Sequence, residues 1–201
     1  MEGYDHRDKL IAAVDSDLGG CVDSNKSTTG LVVWMNGGPV AWRSKRQGTQ
    51  STATLEAEMK AASTVGMELA FLRDLALEMT GEDQGCVRVF EDNSGCTSVA
   101  HGLKDTAKTG HFRRTCSQVE QYCVDGHMWL DWVPGSENPA DIFTKAVKPS
   151  EQFRKLRDVV MGITPVVYLS KSVLGMLRTN GASGHADANR SVRRVMDFLD
   201  T

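Results

Sequence analysis

Glu58 stands where a carboxylate is out of place. At about 100° per residue it falls near the middle of the apolar stripe formed by Ala62, Val65, Leu69 and Ala76, whereas Glu56 falls on the opposite, wet face. Burying an unpaired carboxylate costs several kcal/mol, so an acid in such a stripe needs a cation, a proton, a salt bridge or a rim position. Asp15 and Asp17 end an apolar run, "KLIAAVDSDLGG". With a period of two they share one face, and periodicity leaves the choice between them open. Asp92 closes "CVRVFEDNSG" just before a helix start, where acids often cap. Asp141, in "SENPADIFTKAV", follows Asn138 as N-cap and Pro139 as first helical residue, a place where helix capping and the helix dipole account for an acid locally. Each acid alone has a structural use. Gathered at the carboxyl ends of parallel strands, where ligands collect, four carboxylates would repel and raise one another's pKa. Hard divalent cations make such a cluster tolerable, and all-oxygen ligation favours Mg²⁺ or Mn²⁺ over zinc.

The elements that must position these acids follow from pattern. The first run reads as a buried strand. Residues 30–35 and 39–44 form two β-rich runs around Asn36-Gly37-Gly38, a hairpin signal. Over residues 51–79 the period becomes helical, with Leu55, Ala62, Val65, Leu69, Leu72 and Ala76 on one face and Gly81 as the stop. A short strand ends at Asp92. Helices are expected near 94–103 and 112–124, then a strand, "HMWLDWVP", the loop and helix carrying Asp141, and an amphipathic helix near 150–161. The order β-β-β-α-β-α-α-β-α implies an α/β domain whose later strands pair in parallel under helices on both faces. Residues 1–162 read as one domain and 163–201 as an extension, with a linker-like stretch at 179–190 and a possible short helix at 191–200.

The chain has 201 residues, 40% of them hydrophobic and 24% charged, and its net charge of −3 argues against gripping nucleic acid by bulk electrostatics. No apolar run is long enough to span a bilayer, and the first residues lack the pattern of a signal peptide. Five cysteines without metal spacing suggest reduced packing residues in a cytoplasmic or nuclear, not secreted, protein. Lys104, Lys108, Arg113 and Arg114 cluster with His101 and His111, plainly read as a solvated surface.

The segments "VDSDLGG", "TLEAEMKAAS", "VFEDNSG" and "SENPADIFTK" occur in this order, with the hairpin "STTGLVVWMNGGPVAWRSKRQ" after the first. Together they resemble the ribonuclease H domain of copia-type retrotransposon polyproteins over roughly residues 10–156. The resemblance implies a ribonuclease H-like fold: a mixed five-stranded sheet, strands one to three antiparallel, four and five parallel, with helices on both faces. It implies four catalytic, metal-binding acids: Asp15 rather than Asp17, Glu58 as the second acid of "EAEM", Asp92 and Asp141. The implied activity is Mg²⁺-dependent hydrolysis of the RNA strand of RNA–DNA hybrids with two ions, Mn²⁺ able to substitute. Asp15 would bridge both ions, Asp141 would help hold the ion carrying the attacking water, and Glu58 and Asp92 would hold the other. The implied partners are the hybrid and a reverse transcriptase domain in cis or in trans. Main-chain groups beside Asp15 and the Asn93 side chain would read 2′-hydroxyls, while Lys104, Lys108, Arg113 and Arg114 would contact phosphates.

Many cellular ribonucleases H carry a histidine in the loop before the last acid. "VPGSENPAD" has none, a departure that bears on turnover more than on activity and leaves Glu137 as a candidate for part of that role. His111 and His127 are expected to be structural or at the surface. The alternative is an inactive or decaying remnant of the same fold, acting as a nucleic-acid-binding or interaction module. Integrase-like relatives of the superfold put their glutamate on the final helix, not between the hairpin and the fourth strand.

Overall fold

A computed structural model describes residues 9–104 and 110–166. The expected linker and terminal helix beyond residue 166, and Lys108, lie outside the described residues. Five strands form one sheet in the order β3-β2-β1-β4-β5: β1 (Leu10–Asp17), β2 (Thr28–Met35), β3 (Gly38–Arg46), β4 (Val87–Glu91) and β5 (Met128–Trp132). The first three pair antiparallel, while β4 pairs parallel with both β1 and β5. The β2–β3 hairpin closes through Asn36 and Gly37, both at positive φ (55° and 77°), which matches the twist that a two-residue hairpin turn must supply.

Because β1 is central, both of its faces are buried, and its alternation separates two cores. Leu10, Ala12 and Val14 face one side with Leu31, Val33, Val87 and Val89. That side is covered by α1 (Thr54–Thr80), α2 (Ser94–Ala100) and α3 (Arg113–Val124). Ala13 faces the other side with Val32, Trp34 and Phe90. There a 3₁₀ helix, Pro139–Phe143, packs on β1 and β2, and α4 (Ser150–Val160) packs on it. The Trp34 indole N–H donates to Val160 O (3.0 Å) and ties α4 to the sheet. Helices therefore lie on both faces, and α1 ends where Gly81 adopts the left-handed conformation (φ 75°).

One expectation holds in a tighter form and one fails. The helix carrying Asp141 starts as expected, with Asn138 as N-cap and Pro139 first, but is a five-residue 3₁₀ helix; the Thr144 N–H donates to Asp141 O at 3.2 Å, the tighter three-residue spacing. Glu56 is not on a wet face: it is only 4% exposed. Its carboxylate accepts from the Thr52 N–H (2.8 Å) and contacts Lys60 Nζ (2.8 Å) and His111 Nε2 (3.0 Å). Burial opposes its charge, but those partners hold the carboxyl down at about 2. A helical wheel sees only the helix, whereas this first turn is also enclosed by the loop before it and by the residue preceding Phe112.

Candidate active site

The parallel pairing of β1, β4 and β5 puts their carboxyl ends on one edge of the sheet, and the acids collect there. Carboxylate oxygens of Asp15, Glu58 and Asp92 all lie within 4.8 Å of one another. Asp15 leaves β1, Asp92 follows β4, and Glu58 reaches in from the second turn of α1. The choice between Asp15 and Asp17 is made by β2: the Asp17 carboxylate accepts a bond from the Thr28 N–H and so belongs to the hairpin. Asp92 is free of capping duty, because Asn93 caps α2 by accepting from the Cys96 N–H (3.0 Å). Asn93 thus spends its side-chain oxygen on the helix, leaving its amide N–H groups as the only donors it could offer a ligand.

Asp141 joins through a cation. Lys145 Nζ lies 2.7 Å from Asp141 Oδ1 and 3.6 Å from Asp15 Oδ2. Burial works against this ammonium, but its bond to Asp141 and the charges of Asp15 and Asp92 outweigh that and raise its pKa. The Thr144 hydroxyl donates to Asp15 as well. The supporting pin is Asn138, fully buried: its Nδ2 donates to Val14 O (2.9 Å) and its Oδ1 accepts from the Ala140 N–H (3.1 Å). Gly30, the residue paired with Asp15, permits the close approach. A β-carbon there would lie 2.7 Å from Thr144 Cγ2 and 2.8 Å from Ala140 O.

A fifth carboxylate, Glu91, escapes the sequence reading. It is wholly buried, with Oε1 accepting from the Asn93 N–H (3.0 Å). The signal was available: Glu91 shares the parity of Val87 and Val89, the same misplaced-acid pattern that singles out Glu58. Lys145 had a signal too, four residues after Asp141.

The electrostatics are those of acids outnumbering their cations. Burial first, then the charge of Asp15, pushes Glu58 up to about 8. Burial and the neighbouring Glu58 push Glu91 far above the carboxylate range. Asp92 is raised by burial and Asp15, and Asp141 is raised to about 6 chiefly by burial, with Lys145 opposing. The Oε2 atoms of Glu58 and Glu91 have no hydrogen-bond donor among the described residues. Buried oxygens without donors, clustered among acids, fit a hard cation.

The basic stretch is less uniform than its sequence suggests. Lys104, Arg113 and Arg114 are exposed. His101 is not part of a basic surface. It stacks on Trp129 (3.8 Å between centroids) and bonds Leu130 O (2.8 Å), and burial lowers its pKa. His111 contacts Glu56 and His127 contacts Arg73. All five cysteines are free thiols. Among the described residues no helix is long and apolar enough to cross a membrane.

The chain is 30% identical over 151 residues to the retrovirus-related Pol polyprotein from transposon TNT 1-94 of Nicotiana tabacum; the match covers 75% of this chain and 11% of that polyprotein. The fold is that of RNase H1 from Halobacterium salinarum (TM-score 0.52, 18% identity, 75% of this chain and 98% of that one). It is also that of LC11-RNase H1, solved in complex with an RNA/DNA hybrid (TM-score 0.53, 14% identity, 68% of this chain and 94% of that one). The chain is similar in sequence to part of a transposon Pol polyprotein and has a ribonuclease H-like fold. The five-stranded mixed sheet and its strand orientations agree with the expected ribonuclease H-like architecture. No family model matches the sequence. The ribonuclease H-like domain spans about 11% of the length of its tobacco relative.

Proposed function

We propose that this ribonuclease H-like domain is a divalent-metal-dependent nuclease that hydrolyses the RNA strand of RNA–DNA hybrids. The observation that carries the reading is the convergence of Asp15, Glu58 and Asp92 within 4.8 Å at the carboxyl edge of the sheet. A fold alone would not suffice, since one fold hosts many functions. The donor set is all oxygen, which favours Mg²⁺, with Mn²⁺ able to substitute. Asp15, Glu58, Asp92 and Asp141 would hold the ions. Bound there, they would supply an activated water and neutralise charge on the phosphate and leaving oxygen.

The chain's own residues carry the rest. Thr144 fixes the rotamer of Asp15 by donating to its carboxylate. Lys145 holds Asp141 beside Asp15 through one ammonium. Glu91 lies buried near the charge of Glu58, and burial and that charge favour its protonated form. Asn93 could offer its amide N–H groups to a 2′-hydroxyl, and Lys104, Arg113 and Arg114 are exposed for phosphates. The hybrid bound to LC11-RNase H1 supports the substrate class, and the polyprotein relative supports a reverse transcriptase as partner.

The test is cleavage of a labelled RNA–DNA hybrid at low salt, with Mg²⁺ and with Mn²⁺, against duplex DNA and duplex RNA. Cleavage confined to the RNA strand of the hybrid, lost on chelation and in Asp92→Asn, is the expected result. No cleavage at high enzyme concentration would leave the domain a binding module.

A further inference from the structure

Asp92 stands in a gap between two elements. Strand β4 ends at Glu91 and α2 begins at Ser94, so Asp92 and Asn93 belong to neither. A metal-binding carboxylate has to be held within about 0.5 Å of its working position. Backbone outside regular structure gives little hold of that kind. The peptide unit joining Asp92 to Asn93 is nevertheless bonded at both of its polar atoms. Its C=O accepts from the Trp132 indole N–H (2.8 Å). Its N–H donates to Glu91 Oε1 (3.0 Å).

Register explains how two side chains meet one peptide. Glu91 pairs with Trp132 across the parallel β4–β5 ladder. The pairing runs one bond further, from the Val133 N–H to Glu91 O (2.9 Å), and fixes the strand that leads into Asp92. Trp132 reaches past its own partner to the next residue, while the fully buried Glu91 side chain turns back onto the amide two residues on. Beyond the peptide, α2 takes over: Asn93 Oδ1 accepts from the Cys96 N–H (3.0 Å) and Asn93 O from the Thr97 N–H (3.1 Å). Gly135 closes one side of the carboxylate, since a β-carbon there would lie 2.9 Å from Asp92 Oδ2.

Helix capping accounts for the bonds made by Asn93. It does not account for Glu91. Burying a carboxyl group costs more than one bond to an amide contributes, so satisfying a single N–H is too small a task for it. The task gains weight from its place, because the amide is the one that follows Asp92.

We infer that Trp132 and Glu91 are positioning residues for Asp92, acting on it through the Asp92–Asn93 peptide. The inference rests on the reading of the acidic cluster as a divalent-ion site, and it requires neither side chain to touch the ion or the substrate. Partners of this kind orient a ligand from behind, and losing one typically weakens ion binding.

The experiment is Mn²⁺ binding to the full chain, followed by electron paramagnetic resonance of the free ion, with a melting curve for each variant. Trp132→Phe keeps a ring and deletes the donor, and Glu91→Leu deletes the acceptor; each should weaken Mn²⁺ binding about tenfold. Glu91→Gln keeps a carbonyl oxygen for the Asn93 N–H and should recover most of that affinity. In the Asp92→Asn background, Trp132→Phe should have no further effect. A readout free of the ion is exchange of the Asn93 amide hydrogen, which should quicken about tenfold in Trp132→Phe. That substitution never touches the N–H itself, so the quickening marks a shared peptide plane. Lower melting with parent-like Mn²⁺ affinity would reduce both residues to structural partners and overturn the inference. So would Glu91→Gln binding as weakly as Glu91→Leu, which would assign the effect to charge. No Mn²⁺ binding by the parent would sink the metal reading and this role together, whereas parent-like binding by Trp132→Phe would sink the role alone.

Discussion

At the scale of single residues, the site is defined by charges that do not balance. Among the described residues, five buried or half-buried carboxyl groups face one ammonium, that of Lys145. Asp92→Asn keeps the shape of its side chain and removes one negative charge. It should lower hybrid cleavage by about a hundredfold or more while leaving the fold intact, checked by initial rates beside a melting curve. Lys145→Ala tests the opposite sign. Without its ammonium the cluster loses its only counter-charge among the described residues, and the half-exposed position limits the cost to about 1 kcal/mol. The metal-free variant should melt below the parent at pH 8, and millimolar Mg²⁺ should recover a larger increment for the variant than for the parent. An equal increment would show that Lys145 does not share the acids with a cation. Glu56 illustrates the limit of reading one helix in isolation. Its burial depends on Lys60, Thr52 and His111, and His111 lies 55 residues away in sequence.

At the scale of elements, the 3₁₀ helix Pro139–Phe143 carries Asp141 to the sheet, and two features hold it there. Asn138 bonds β1 through Val14 O, and Gly30 lets the segment approach β2. Asn138→Ala would leave a buried carbonyl without its donor and cost roughly 1–3 kcal/mol, read as a lower denaturant midpoint. Gly30→Ala would insert a β-carbon against Thr144 and Ala140 at distances real contacts do not reach. Overpacking of that kind costs about 1–3 kcal/mol, and the displaced segment should reduce cleavage by more than the loss of stability explains. A Gly30→Ala protein with full activity and an unshifted melting curve would mean that the approach is slack. The strands, the hairpin and the long helix are all legible from alternation, from Asn36-Gly37 and from the three-four spacing. The turn type of Pro139–Phe143 is not, since it depends on contacts with β1 and β2.

At the scale of the whole molecule, the raised carboxyls make stability depend on pH and on cations. Glu58 titrates near 8 in the folded chain against an ordinary value of 4.5, and Asp141 near 6 against 3.8. Between the ordinary and the raised values the folded state holds more protons than the unfolded one. Stability therefore falls as pH rises through that window, from about 4 to about 8. A metal-free melting midpoint that declines over this range is the expected outcome, and Mg²⁺ should raise the midpoint most at its alkaline end, where the ligands are deprotonated. A flat profile would mean that the acids are compensated by something other than protons.

The sequence by itself determined the alternation of the strands, the hairpin turn, the long helix with its misplaced Glu58, and the order of four acidic segments. These are local properties: backbone preference and the periodic exposure of side chains act within a few residues. Only the tertiary structure decided that Asp15 and not Asp17 faces Glu58, that Glu91 joins them, and that Lys145 answers two acids at once. Each of those facts is a meeting of atoms distant along the chain. Coulomb interaction and burial depend on separation in space, which no period in a sequence encodes.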